Sequence, residues 1–448
     1  MEREIPKTLI EFVLQTRYEE FPKEVLNFCK LLTLKTVSGM LAGSAKPSGR
    51  KLARIIKNQG HPDEVGVIGS GFKTSLWESV FLHAYYAHAS ELEDDRFNGG
   101  ISWDITVIPL LFPLAEKLGL SGKAFMESLV LGLEATVRTC LFTAKHLGLG
   151  QVPGAVGPAL AAARALGLGV EETAGAVGLA TSGVPLSVHN YGTDAHYFES
   201  ALLSLQGMMA VEMAKTGLAG NPDMGTYLTN FLGKERVVLE KIVEGLGDKW
   251  LATEIWIKKY PCCFLMHRQI DSVIELKNQY NLSIDDIEAI EVHASLAEKA
   301  CDRPEPTSEG NLQFSFQHAL TAAMLDGDVN LSHICEEAVN APRLKNYRSK
   351  VKIIYHPDWP IDFNKAPSRV VVKMKDRREF SRERRYPIGH PTQDPLKSEQ
   401  VQNLYAKFSK GRLKDRDIST TRDMILNLET MKSLRELTEI LMMGPGND

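Results

Sequence analysis

Apolar residues fall at helical spacing through the segment "PKEVLNFCKLLTLKTVSGMLAG" (Val25, Phe28, Leu32, Leu34, Val37, Leu41). That period predicts a helix with Pro22 in its first turn and an end at Gly43. "TSLWESVFLHAYYAHASEL" predicts a second helix with Thr74 as its N-cap. "VIPLLFPLAEKLGL", "GKAFMESLVLGLEATVRTCLFTAKHLGL" and "PALAAARALGLGVEETAGAVGLATSG" continue the series. These helices are rich in Ala and Gly and apolar nearly all round, the pattern of helices buried in a large α-helical core. From about residue 267 the period changes. "IEAIEVHAS", "VKIIYHP" and "RVVVKMKDRREFSRER" alternate apolar and polar positions with β-branched enrichment, as half-exposed strands do, and the helix "FSFQHALTAAMLDG" lies between them. From Ser398 to Met443 the pattern is helical again. The fold class expected is mainly α with a smaller α+β domain. A helical domain spans residues 1–266 and 396–448, and an α+β domain, residues 267–395, is inserted in it.

Composition narrows the function classes. The chain has 448 residues, 44% hydrophobic and 24% charged, with a net charge of −4, which gives no reason to expect nucleic acid. The basic run "RREFSRERR" has acids interspersed and reads as a solvated strand face. No uncharged apolar stretch reaches about 18 residues, so no membrane span is expected. Met1–Glu20 lacks a continuous apolar core, so no signal peptide is expected either. The six cysteines (Cys29, Cys140, Cys262, Cys263, Cys301, Cys335) are scattered and too few for a disulfide framework, which fits a reducing, cytoplasmic setting. The nearly continuous apolar helices offer more hydrophobic surface than one domain hides, so a homodimer is expected.

Three stretches invite chemistry. In "KKYPCCFLMH" (258–267) the cysteines are adjacent, whereas structural zinc sites pair cysteines two to four residues apart. His267 keeps a thiol nucleophile open, but buried cysteines more often pack as small hydrophobes. Lys258, before an apolar turn, is suited to binding a carboxylate or to moving a proton if desolvated. In "HASELEDDRFNGG" (88–100) four acids, Glu91, Glu93, Asp94 and Asp95, end a helix where cations are favoured, which signals a tertiary or functional reason. No complementary Mg²⁺ ligands follow downstream, so neither a metal nor any other cofactor is expected. "GLGQVPGAVG" (148–157) has Pro153 at the third glycine position of a dinucleotide loop and follows a helix, so close helix packing by small residues explains it better.

Taken together these stretches resemble the MmgE/PrpD family. "KKYPCCFLMHRQID" is similar to its K-x-Y-P-C-C-x-x-x-H signature, and "HASELEDD" to its H-A-L-E-L-D-D helix end. "GGISWDITVIPLLFPLAEKLG", "HNYGTDAHYFESALLSLQGMMAVEMAKTGLAG" and "NLQFSFQHALTAAMLDGDV" resemble three further segments in the same order, across nearly the whole chain. The resemblance implies a helical domain plus an α+β lid domain, a homodimer and an active-site cleft between the domains. It implies cofactor-independent chemistry of three kinds: dehydration of 2-methylcitrate, decarboxylation of cis-aconitate and epimerisation of iminodisuccinate. Each moves a proton at a carbon near a carboxylate.

The chain also departs from the family pattern. Ser102 and Val152 replace two histidines, His196 replaces a lysine, Glu199 replaces a histidine and His318 replaces a tyrosine. The residues expected to carry chemistry are Glu91, His196, Lys258, His267 and His318. Glu91 or His196 would act as base, and His318 or Lys258 as acid. Asp94, Asp95, Ser102, Asn190 and Tyr260 are expected to bind substrate. The reading is a lyase or isomerase acting on a small organic acid or related polar metabolite, with fewer carboxylates than 2-methylcitrate. Two alternatives stay open: an epimerase of the same family, and a catalytically lapsed homologue that binds a metabolite.

Overall fold

Where the Lys23–Ser44 helix crosses the Leu76–Ala89 helix, Gly43 lies against the partner's backbone. A Cβ at Gly43 would sit 1.9 Å from the Tyr86 carbonyl oxygen, so only glycine permits this approach. The computed structural model that shows this crossing describes residues 4–96, 102–140, 149–183 and 185–444. The chain folds as two compact units. The first comprises Met1–His189, Ala195–Ile255 and Lys397–Asp448, and the second comprises Asn190–Asp194 and Trp256–Leu396.

The first unit is built of helices. Lys23–Ser44 is long and apolar enough to cross a membrane by length and composition, but most of it is buried in the unit's core. Leu76–Ala89 packs on one side of it and Ser398–Ser409 on another, burying Val401, Leu404, Tyr405 and Phe408. Gly122–Thr139 packs on Val156–Leu166, where a Cβ on Gly157 would meet Thr136 Oγ1 at 1.7 Å. The small residues of "GLGQVPGAVG" that lie among the described residues thus serve helix packing. Arg138, fully buried, ties the 242–249 segment to this pair. It donates to the carbonyls of Ile242 (3.0 Å), Glu244 (2.9 Å) and Lys249 (2.7 Å) while paired with Glu134 (2.6 Å).

Several expectations are refined. Ser75 caps the Leu76–Ala89 helix, its side chain accepting from the Glu78 amide, while Thr74 lies in a short strand. "PALAAARALGLGVEETAGAVGLATSG" forms two helices, Val156–Leu166 and Val170–Ala180, because Gly167 takes a left-handed conformation (φ 68°) that ends the first. The helix beginning at Gly122 ends at Thr139, and residues 141–148 lie outside the described residues. The C-terminal region is three helices, Ser398–Ser409, Asp415–Leu426 and Arg435–Met442. Two antiparallel ribbons of two residues per strand, Val65–Gly66 with Lys73–Thr74 and Leu149–Gly150 with Leu186–Ser187, are too short to leave a period in the sequence.

The second unit carries a four-stranded sheet. Ile287–Ala294 is central, parallel to Val351–Tyr355 on one side and antiparallel to Arg369–Met374 on the other, with Glu379–Glu383 at the outer edge. The edge strand alternates exposed and half-buried positions, and Arg382 and Arg384 pair with Glu275, as a solvated basic face should. The helices His267–Tyr280 and Phe316–Asp326 pack against the sheet, enclosing a core separate from that of the first unit. Arg268 is this unit's buried anchor: it donates to the Ala366 carbonyl (2.8 Å) and to Glu298 (2.7 Å). The larger segment of the unit begins at Trp256, ahead of the expected junction at residue 266, and Trp256 packs on Phe264, Phe363 and His390.

Candidate active site

His88 occupies the last turn of the Leu76–Ala89 helix, and Glu91 follows just past its end. His196 and Ser200 stand one turn apart on the Asp194–Lys215 helix, so both face the same way. The packing of these helices brings the His88 and His196 rings to 4.0 Å between centroids. Candidate ligand atoms of His88, Glu91 and His196 all lie within 4.8 Å of one another, and all three residues are buried.

Hydrogen-bond direction fixes the state of His88. Ser200 Oγ donates its only proton to the Tyr197 carbonyl (2.9 Å). With that proton on the carbonyl, Ser200 Oγ is an acceptor for His88 Nδ1, which lies 2.9 Å away. In this arrangement a neutral His88 carries its proton on Nδ1 and its lone pair on Nε2. Tyr197 also edges against the His88 ring at 5.8 Å, giving it an aromatic wall. Glu91 adopts a left-handed backbone (φ 55°), a strained conformation for a glutamate of the kind that concentrates at functional sites.

Two of the remaining acids of this segment, Asp94 and Asp95, are structurally engaged. Asp95 Oδ1 accepts from the Ser102 amide at 2.6 Å. Asp94 donates its amide to Asp104 (2.9 Å) and accepts at its carbonyl from Trp103 (3.1 Å). Lys35, fully buried, donates to the Leu92 carbonyl (2.7 Å) and lies 3.8 Å from Asp94 Oδ1. Burial pushes the Asp104 carboxyl up. The acids that looked unfavourable at a helix end are therefore interior groups, and Asp94 is met by a lysine and Asp95 by a backbone amide. Asp94, Asp95 and Ser102 stand close in sequence to the Glu91 cluster, and the contacts seen are those that shape the segment.

The other expected residues belong to the second unit. Tyr260 is buried and donates its phenol proton to Asp271 Oδ1 (2.8 Å), whose second oxygen accepts from the Ile388 amide (2.8 Å). Burial pushes both Tyr260 and Asp271 up. His267 opens the His267–Tyr280 helix, donates from Nε2 to the Cys262 carbonyl (3.1 Å) and stacks on Phe264. Lys258 is fully buried, and Asn190 is half-buried. The two cysteines shape the turn. The Cys262 amide donates to the Tyr260 carbonyl (2.9 Å), and the Cys263 amide to the Gln313 carbonyl (2.8 Å). No disulfide joins any of the six cysteines.

His318, one of the two candidates for the acid, has both its nitrogens engaged: Nε2 donates to the His333 carbonyl (2.6 Å), and Nδ1 accepts from Arg348 Nη2 (3.0 Å). Burial, with the nearby Arg348 charge, pushes its pKa down to about 4. These contacts commit it to the interior of its unit.

His88 and Ser200 escaped sequence reading. The H-x-x-E spacing of His88 and Glu91, which keeps the two close across the helix end, is the signal that could have found the first. Ser200 carries none, since its role depends on a neighbour 112 positions away.

Comparison with known proteins bears on the whole chain. The MmgE/PrpD N-terminal domain matches residues 7–231, and the MmgE/PrpD C-terminal domain matches residues 260–430. The chain is 23% identical to the cis-aconitate decarboxylase-like protein oryM of Aspergillus oryzae, over 98% of each chain. It is also 23% identical to cis-aconitate decarboxylase of Aspergillus terreus, over 94% of this chain and 93% of that one. Against cis-aconitate decarboxylase of Homo sapiens identity is 25%, over 82% of this chain and 79% of the relative. These relatives indicate an enzyme of the lyase type. With both domain models matched in order along one chain, the protein belongs to the MmgE/PrpD family, as a divergent member.

Proposed function

We propose that the protein is a lyase of the dehydratase or decarboxylase type, acting on a small carboxylate metabolite, with His88, Glu91 and His196 as its reaction centre. The observation that carries this reading is the Ser200-fixed tautomer of His88, which presents an Nε2 lone pair beside a second imidazole and a carboxylate. Either lyase reaction passes through a carbanion next to a carboxylate. Dehydration removes a proton there and expels hydroxide, while decarboxylation loses CO₂ and then needs a proton at the same carbon. Two imidazoles and a carboxylate supply both an acceptor and a donor. Burial removes competing water and strengthens their electrostatic effect on the reacting carbon. Three cation-capable positions of the family pattern are Ser102, Val152 and His196 here, which favours a mono- or dicarboxylate over a tricarboxylate.

The test is turnover of a panel of mono-, di- and tricarboxylates, cis-aconitate among them, in D₂O. NMR should show deuterium entering one acid at a carbon next to a carboxylate. His88→Gln, Glu91→Gln and His196→Gln should each lower that turnover by at least about 100-fold, with unchanged circular dichroism. Undiminished turnover in all three folded variants would overturn the assignment.

A further inference from the structure

The same three side chains form a donor set that proton chemistry alone does not require: two imidazole nitrogens and one carboxylate, all buried. We infer that His88, Glu91 and His196 bind a divalent transition-metal ion of the zinc or cobalt type, and that the bound ion blocks the reaction centre. The blocking half of this inference rests on the function proposed above; the binding half does not.

Geometry comes first. A tetrahedral ion with bonds of about 2.1 Å needs ligand atoms about 3.4 Å apart. The three candidate atoms already lie within 4.8 Å of one another, so side-chain rotation closes the remaining gap. Orientation is the second argument. Imidazoles that ligate metals donate their other N–H to a protein group, which fixes the tautomer and aims the lone pair. His88 does this through Nδ1 to Ser200, whose own proton is spent on the Tyr197 carbonyl.

Charge and softness select the ion. Two neutral imidazoles and one carboxylate leave a bound divalent ion with a net charge of +1. The neighbouring segment adds the buried Glu93, Asp94 and Asp95 against one buried lysine, Lys35, 3.8 Å from Asp94, so acids outnumber cations there and the field favours a cation. Two nitrogen donors favour zinc, cobalt or copper over magnesium and calcium, which prefer oxygen. The lysine of the family pattern at position 196 would repel a metal ion; His196 removes that charge and supplies a lone pair instead.

The functional consequence is competition. The Nε2 lone pair of His88 can hold a proton or a metal, not both at once. An ion seated here takes the base out of use, and a chelator returns it.

Cobalt titration of chelator-treated protein, followed by visible d–d absorption, tests the site directly. One Co²⁺ per chain is expected, displaced by zinc. His196→Lys and His88→Gln should abolish the bands. Ser200→Ala, which loses only the outer partner, should weaken binding by about 10–100-fold. Full-strength bands in both histidine variants, or no binding to the wild type at micromolar cobalt, overturn the metal site. On the panel substrate, saturating zinc should lower turnover at least tenfold and a chelator should restore it; turnover that requires the ion overturns the blocking role. If cobalt binds at these residues while turnover is untouched, the reaction centre lies elsewhere and the functional reading is what fails. If cobalt does not bind while His88→Gln is inactive, the metal inference alone fails.

Discussion

His318 and His83 each use one ring nitrogen to accept a buried N–H, and that choice makes them sensitive to acid. His83 Nε2 accepts from the Ile68 amide (2.8 Å), and His318 Nδ1 accepts from Arg348 (3.0 Å). Burial pushes His83 down to about 3 and His318 to about 4, against an ordinary value of 6.5. Both folded values lie below the unfolded one, so the unfolded chain binds more protons at intermediate pH. The stability these two histidines lend is fully present above pH 6.5 and is lost as pH falls toward 4. Each contributes on the order of 3 kcal/mol over that range. Urea unfolding at pH 7 and pH 4.5 should show this loss. His318→Gln, which cannot titrate, should reduce the pH slope by about 1.4 kcal/mol per pH unit. His318 also marks a limit of sequence reading: a histidine in an apolar helix is visible in the sequence, but the Arg348 beside it is not. The same limit hid the pairing of His88 with His196, although Glu91 and His196 were each legible as candidates. Ser200→Ala provides a further test at this scale. Without the Ser200 acceptor the His88 tautomer is no longer fixed, so turnover should fall about tenfold and its pH profile should shift, with stability little changed.

At the scale of elements, periodicity says which residues of a helix are buried but not what lies against them. The Lys23–Ser44 helix was legible almost to the residue, because its apolar positions repeat with the helical turn and Pro22 and Gly43 mark its ends. What could not be read is that Gly43 is also a contact point, since its value depends on the Tyr86 backbone opposite. Gly43→Ala adds a methyl where a carbonyl oxygen stands 1.9 Å away. The helices must part, and the expected cost is about 1–3 kcal/mol or more, read as a lower denaturant midpoint. Ala substitution at Gly60, whose Cβ would meet nothing within 4 Å, provides the contrast. There the left-handed φ of 71° is the only source of strain, so the loss should be smaller. The split at Gly167 and the two-residue ribbons were missed for a related reason. Both are set by one or two backbone conformations, which leave too few residues to form a period.

The whole molecule has two cores, each with a buried arginine holding loops in place. Arg138 serves the first unit, and Arg268, with Glu298, serves the second. Arg268→Met leaves Glu298 buried and uncompensated, and should destabilise its unit by about 3–5 kcal/mol. Hydrogen exchange should then speed up in Ile287–Ala294 and Arg369–Met374 before it does in Lys23–Ser44. The change of period near residue 267 falls inside the Trp256–Leu396 segment of the second unit. The start of that segment at Trp256 was not legible, because an aromatic cluster stands there rather than a periodic element, and neither was the Asn190–Asp194 piece of the unit. The discontinuity of the first unit has a consequence for the chain during its own synthesis. The Lys23–Ser44 helix is covered by Ser398–Ser409, which is made 354 positions after Ser44. At about 5–20 residues per second the ribosome takes roughly 20–70 s to cover that interval. For all of that time the helix has no native cover on this face, while the intervening second unit can finish folding. A nascent chain stalled before Ser398 should therefore hold a folded second unit beside an apolar first unit that recruits chaperones. Release of those chaperones should follow emergence of the last three helices.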